Sequence, residues 1–313
     1  MNKSFNIQAY IITGIYFILL FNSACNNDTS TNKNPYEINA GSIEIYADAN
    51  YALLTNELIK SYENIYDSAR ITPYYMSEQS AIAAFLKDSV HLLLIGRTLH
   101  DHELQKAEAA QGIPARENII AYEALAVVHA GKSADSIFDL DAFAANRNND
   151  VKNKYTDKKY IFSNTQSGTL TYLFETIGIE NPNTENMFAV NSIDDFISYL
   201  ENDSSAIGFL SFALISDKDD PAARKILEKI KIMQIVHTDT TGTRMITELS
   251  QSNIATHAYP LVRPINLVLG NSPERLGTGF VNFMFKSRPG RIFLKSGLVP
   301  AQMPERQILI KQE

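Results

Sequence analysis

The stretch from Ser42 to Ile95 constrains the fold of this 313-residue chain more than any other. In residues 42–47 (SIEIYA), Ile43, Ile45 and Ala47 fall on one face, the period of two that marks a strand. Over 53–65 the residues Leu54, Leu58, Ile59, Tyr62 and Ile65 recur near helical spacing. Residues 70–75 read as a second strand, 80–86 as a second helix, and 91–95 (HLLLI) as a third strand. A strand apolar on both faces has to be covered on both, which suits a parallel sheet between layers of helix. The alternation of strand and helix predicts an α/β lobe.

The pattern resumes at 119–129 (IIAYEALAVVH), an unusually long apolar stretch, and crosses a polar, Asn/Lys-rich region at 146–159. Further strands are expected at 160–163, 206–210 and 231–236, with helices at 170–177, 192–200 and 222–230. A second long strand spans 259–269 (YPLVRPINLVL), and a final helix begins over 277–285. Pro260 and Pro264 limit how that strand can pair, so it fits an edge or a crossover. The two long extended segments bracket a middle block, as two chain crossings between two lobes would. Lobe I is then 42–122 plus 262–313, and lobe II is 123–261. With 45% hydrophobic residues the chain has ample material for a packed core, and its length allows one large domain or two α/β lobes. A cleft between two such lobes is the usual place for a small ligand.

The N-terminus carries an address. Lys3 supplies a positive start, 9–21 (AYIITGIYFILLF) is apolar but short for a membrane span, and Asn22-Ser23-Ala24-Cys25 closes it. Cys25 is the only cysteine, so it forms no internal disulfide. An ordinary signal peptide or short anchor helix is one reading. The sharper one is that 1–25 resembles a bacterial lipoprotein signal, whose cysteine is acylated, although Asn22 stands where Leu is usual. Residues 26–41 are polar and read as a flexible tether. The net charge is -7 and no Lys/Arg-rich run occurs, so nothing points to nucleic acid.

Several short motifs then occur in a telling order: Ser167-Gly168-Thr169, Ala206-Ile207-Gly208-Phe209, Tyr259-Pro260-Leu261-Val262-Arg263-Pro264 and Lys295-Ser296-Gly297-Leu298-Val299-Pro300. Over 42–304 the chain resembles the phosphate-binding family of periplasmic solute-binding proteins, the substrate-binding subunits of phosphate-type ABC importers. Residues 276–304 look especially like a lipoprotein branch of that family. The resemblance implies the type II periplasmic binding fold, an oxyanion held between the lobes by donors at helix starts, and a permease as partner. It also implies no enzymatic activity and no cofactor. Inorganic phosphate is the expected ligand, and the expected location is the cell envelope, by lipid anchor on the periplasmic or outer side of a membrane.

A dehydrated oxyanion needs converging N–H and O–H donors, best placed at helix N-termini. Ser167, Gly168 and Thr169 follow a strand and open a helix, so they can hold the ligand, cap the helix, or both. In the first loop the family's hydroxyl cluster is replaced by Asp48 and Asn50. Asp48 is either a ligand contact that accepts a proton from the oxyanion or a helix cap. In the second loop, Ser77-Glu78-Gln79-Ser80, Gln79 is a candidate contact and Glu78 is awkward beside an anion. After the third strand, Gly96 cannot serve as the proton acceptor found near there in the family. Arg97 offers a donor fork, or pairs with a surface carboxylate. Ser163 stands where the family often has an arginine, for which Arg97 can compensate.

His100-Asp101-His102-Glu103 invites a metal reading, but alternate residues at a helix start do not share a face and no further ligand stands nearby. His91, His129, His237 and His257 are scattered singly. No hydrolase elbow, Walker loop or dinucleotide motif is present, which leaves a phosphoesterase without its machinery. The altered loops keep one rival open: a signalling or surface-interaction lipoprotein that kept the fold and lost phosphate binding.

Overall fold

The computed structural model describes residues 38–87, 90–131, 136–148, 152–163, 168–190, 192–271 and 275–303. All belong to one compact unit, Pro35–Glu313. The signal segment, Cys25, most of the tether and Ser167 lie outside the described residues.

The chain opens with β1 (Gly41–Asp48), α1 (Ala52–Glu63), β2 (Ala69–Met76), α2 (Glu78–Phe85), β3 (Leu92–Ile95), α3 (Asp101–Gln111) and the long β4 (Ile119–Ala130). The middle block holds β5 (Ile137–Asp139), α4 (Leu140–Arg147), β6 (Tyr160–Phe162), α5 (Gly168–Thr176), β7 (Met187–Ala189), α6 (Ile193–Asn202) and β8 (Ile207–Ser211). It continues through α7 (Pro221–Leu227), β9 (Ile230–Ile232), β10 (Gln234–Thr238), β11 (Arg244–Thr247) and α8 (Gln251–Ala255). The return is β12 (Val262–Leu269), α9 (Leu276–Met284), α10 (Ser287–Lys295) and β13 (Val299–Pro300). Short 3-10 turns, Ala49–Tyr51 and Phe212–Leu214, follow β1 and β8.

The main sheet runs β2-β1-β3-β12-β4-β8-β6-β7, and β5, β10 and β11 form a separate small sheet. β1 is parallel to β2 and β3, while β12 lies antiparallel to β3 and β4. β4 changes partners along its length. Glu123 and Ala124 oppose Arg263 and Val262 of β12, and from Leu125 onward β4 pairs with β8. Beyond β8, β6 is parallel to both β8 and β7.

The all-apolar β3 behaves as its sequence demands, because successive side chains of a strand point to opposite faces. Leu92 and Leu94 join a core with Ile45, Leu58, Tyr62 and Phe280, whereas Leu93 and Ile95 join another with Ile82 and Phe85. In the other half, Val127 packs with Phe138, Phe143 and Phe209, and Val128 packs with Phe196 and Leu210 on the opposite face.

Two expected strands come out differently. The run 231–236 breaks at Met233, whose N–H bonds to Val127 O at 2.8 Å. Before it, β9 pairs with β4; after it, β10 pairs with β5 in the small sheet. The run 259–269 is a strand only from Val262. Tyr259 is buried and anchors the approach by donating its hydroxyl to Leu125 O at 3.0 Å. Pro264 is accommodated because only β4 pairs with β12 at that point: it lies opposite Tyr122, close to the register shift at Ile265/Asn266, and β3 joins only from Asn266. Periodicity does not single out α3 or α4, since the faces they bury include Glu103 and Gln111, and Asn146 and Arg147. Among the described residues, no helix is long and apolar enough to cross a membrane.

Candidate functional site

Where β4 changes partners, the chain buries a charge pair. Glu123 and Arg263 face each other across β4 and β12, each fully buried. Glu123 Oε1 accepts from Arg263 Nε at 2.7 Å and from the Tyr51 hydroxyl. Its Oε2 accepts from Ser211 Oγ at 2.6 Å and from Ala213 N at 3.0 Å. One carboxylate therefore joins the turn after β1, strand β12 and the end of β8. Burying such a pair is tolerable only when its bonding capacity is used, and Glu123 uses all of its own.

Arg263 does not. Nη2 is ion-paired with Glu123 Oε1 at 2.7 Å, which leaves Nη1 as the terminal nitrogen with no partner among the described residues. Burial works against the guanidinium charge, yet Glu123, and after it Tyr51, Glu78 and Asp48, hold its pKa above the ordinary value. The rings of Tyr51 and Tyr172 lie 5.9 Å from its Cζ. Gly96 makes room here, because a Cβ at that position would lie 3.2 Å from Arg263 Nη1 and strike the Tyr51 hydroxyl.

A second group of charges adjoins the first. Glu78, at the start of α2, is 1% exposed. Its Oε2 accepts from Gly96 N at 2.9 Å and its Oε1 lies 3.3 Å from Arg97 Nε. The same carboxylate rests against Gly168, the first residue of α5, so closely that a methyl group there would overlap it. Next in the chain is Thr169, fully buried, whose Oγ1 has no partner among the described residues. Tyr172 ties α5 to β12 by donating to Val262 O at 2.6 Å. Asp48, 1% exposed, has its pKa pushed up to about 6 by burial first and the charge of Glu78 second.

The residues expected from sequence divide accordingly. Gly168, Thr169 and Asp48 are brought to this buried polar region, while Ser167 lies outside the described residues. Asp48 also caps the following turn, accepting from Asn50 N at 3.0 Å and Nδ2 at 3.3 Å, which spends those donors of Asn50. Gln79 is exposed beside the buried Glu78. The fork of Arg97 is held by Glu103, with both Nη atoms 2.8 Å from its carboxylate oxygens, which is the ion-pair reading of this arginine. Burial opposes the Arg97 charge, but Glu103 raises its pKa overall. Ser163, at the position of the family's arginine, has a buried Oγ without a partner among the described residues. His100 pairs with Glu175 at 3.3 Å, and no group of three metal-ligating side chains occurs among the described residues.

Tyr51, Glu123, Ser211 and the placement of Arg263 escape motif reading, though one signal was available. Glu123 is the single acid in IIAYEALAVVH and Arg263 the single base in YPLVRPINLVL. Two long apolar strands, each with one opposite charge, call for those charges to meet.

The long strands β4 and β12 lie side by side in the main sheet and carry the buried Glu123–Arg263 pair. A sequence-family model described as PBP superfamily domain matches residues 34–288, and the chain belongs to that superfamily. This is a family of periplasmic substrate-binding proteins, not of enzymes. Among solved structures, it is similar to a Clostridium perfringens protein assigned as a phosphate ABC transporter substrate-binding protein, with bound phosphate. The TM-score is 0.66 at 15% identity, over 84% of this chain and 100% of that one. An ABC-type phosphate transport receptor from Vibrio cholerae gives 0.60 at 16%, over 82% and 99%. PstS from Borrelia burgdorferi gives 0.53 at 17%, over 85% and 99%. These likenesses establish the type II periplasmic-binding-protein fold. No curated protein matches the chain.

Proposed function

We propose that this chain is the lipid-anchored solute-binding component of an ABC importer, and that its ligand is a small oxyanion, inorganic phosphate foremost. One observation carries the reading: buried donors without partners among the described residues, Thr169 Oγ1 and Arg263 Nη1, occur beside the start of α5. Leaving such donors buried and unpaired is costly unless a ligand bonds to them. The helix start adds a favourable field for negative charge. Asp48, titrating near neutrality, supplies an acceptor for a protonated oxyanion. In this reading lobe I (42–122 plus 262–313) and lobe II (123–261) close on the ligand about β4 and β12, and the permease distinguishes the loaded form by that closure. Cys25 carries the acyl anchor and 26–41 is the tether, on the periplasmic or outer side of the membrane. The phosphate bound in the similar protein from Clostridium perfringens, and the phosphate transport role of the one from Vibrio cholerae, support the choice of ion.

The rival, a surface lipoprotein that kept the fold without its ligand, is favoured by one observation, the Glu78 carboxylate against α5. Thermal unfolding with a panel of oxyanions separates the two. Binding to the folded state alone stabilises it by about 2.7 kcal/mol at a hundred times Kd, so phosphate should raise the melting temperature. No shift with any oxyanion would favour the rival.

A further inference from the structure

A buried carboxylate of the chain itself already lies against the start of α5 and takes a neighbouring backbone N–H. Glu78 takes the N–H of Gly96 at 2.9 Å and lies 3.3 Å from Arg97 Nε. It also rests against the first residue of α5, and its charge bears on Arg263. The side chain is 1% exposed, so these contacts are not those of a surface glutamate resting by chance. Neighbouring donors are unsatisfied at the same time, since Thr169 Oγ1 and Arg263 Nη1 have no partner among the described residues. A carboxylate has fewer oxygens than a tetrahedral oxyanion and is held by its own tether, so it occupies part of such a site and leaves the rest unpaired. Gly168 belongs to the same arrangement, because any side chain there would evict the carboxylate.

We propose that Glu78 is a resident anion of the binding site, a tethered competitor that an oxyanion must displace and that thereby sets the site's affinity. The inference rests on the oxyanion-binding reading above. It assigns a specificity role to the glutamate that the sequence marks only as awkward beside an anion. Displacement of a fixed charge by a mobile one makes binding weaker than the donor set alone would give. It also means that the ligand-free protein already holds a carboxylate, Glu78, close to Arg97 and within the field of Arg263.

The test is calorimetric titration of inorganic phosphate into the wild-type protein and into Glu78→Ala, at one pH and low salt. Removing the competitor frees at least one charge-assisted hydrogen bond for the ligand, so Glu78→Ala should bind about tenfold or more tighter. Glu78→Gln keeps the shape and loses the charge; it should also bind tighter, which guards against loss of the fold in the alanine variant. A third variant reads the contact without ligand. Gly168→Ala should destabilise the wild-type protein and be nearly harmless in the Glu78→Ala background. Unchanged or weaker binding in both Glu78 variants, with the wild type binding phosphate, would overturn the proposal and leave the oxyanion reading standing. Binding gained by Glu78→Ala in a protein whose wild type shows none would uphold the proposal and sink the reading of the native chain as a phosphate carrier. Silence from all variants would sink both.

Discussion

Arg263 donates its Nε–H to Glu123 at 2.7 Å, a buried side-chain bond that adds to the backbone pairing of β12 with β4. The pair is fully buried, with Tyr51, Ser211 and Ala213 completing the acceptor capacity of Glu123. Strength at this point and donors to spare on the far side of the guanidinium are two consequences of one geometry.

Breaking the pair from the acid side should be expensive. Glu123→Ala leaves a buried guanidinium uncompensated, and removal of one partner of such a pair costs about 3–5 kcal/mol. Ser211→Ala removes one hydrogen bond to the same carboxylate and should cost about 1.5–3 kcal/mol. Urea unfolding midpoints of the two variants check the order. Equal, small losses would mean that the pair does not hold the crossing.

Asp48 makes stability depend on pH in an unusual direction. Its folded pKa of about 6 lies above the ordinary value of 3.8, so between those values the folded state holds the proton more tightly. Stability from this group is fully present below pH 4 and is lost as pH rises through 6. The full effect is on the order of 3 kcal/mol. Comparing wild type with Asp48→Asn by denaturant unfolding at several pH values should show the wild type losing ground between pH 4 and 7. Parallel curves would place the Asp48 pKa at its ordinary value.

The fold was largely legible because residues 42–65 write both periods clearly, two in SIEIYA and nearly helical over 53–65. The apolar HLLLI likewise announces cover on both faces, and its residues do divide between two cores. The site was legible only in part. Motif reading singled out Gly168, Thr169 and Asp48, which the fold brings to one buried polar region because each lies at the start of a helix or turn. It assigned Arg97 to the ligand because spacing cannot reveal that Glu103, one turn into the next helix, takes its fork. Glu123 and Arg263 were missed as a pair because they are joined by a strand register 140 residues apart, which no local pattern encodes.

The address is open to a direct check. Cys25→Ser should release the protein from the membrane fraction, or leave it unprocessed, with loss of fatty-acid labelling. An unchanged distribution and unchanged label would reject the lipid anchor.

The central claim is that the start of α5 and the spare donors of Arg263 hold a small oxyanion, and Thr169 tests it most cleanly. Its hydroxyl is buried without a partner, so Thr169→Ala should leave the ligand-free protein as stable as the wild type or somewhat more so. A hydrogen bond to a charged ligand contributes about 1.5–3 kcal/mol, so the same substitution should weaken phosphate binding about ten- to a hundredfold. Calorimetric titration of phosphate into both proteins, beside their unfolding midpoints, is the measurement. The account predicts saturable binding by the wild type and a selective loss of affinity in Thr169→Ala. Equal affinities, or no binding of phosphate by the wild type, would contradict it.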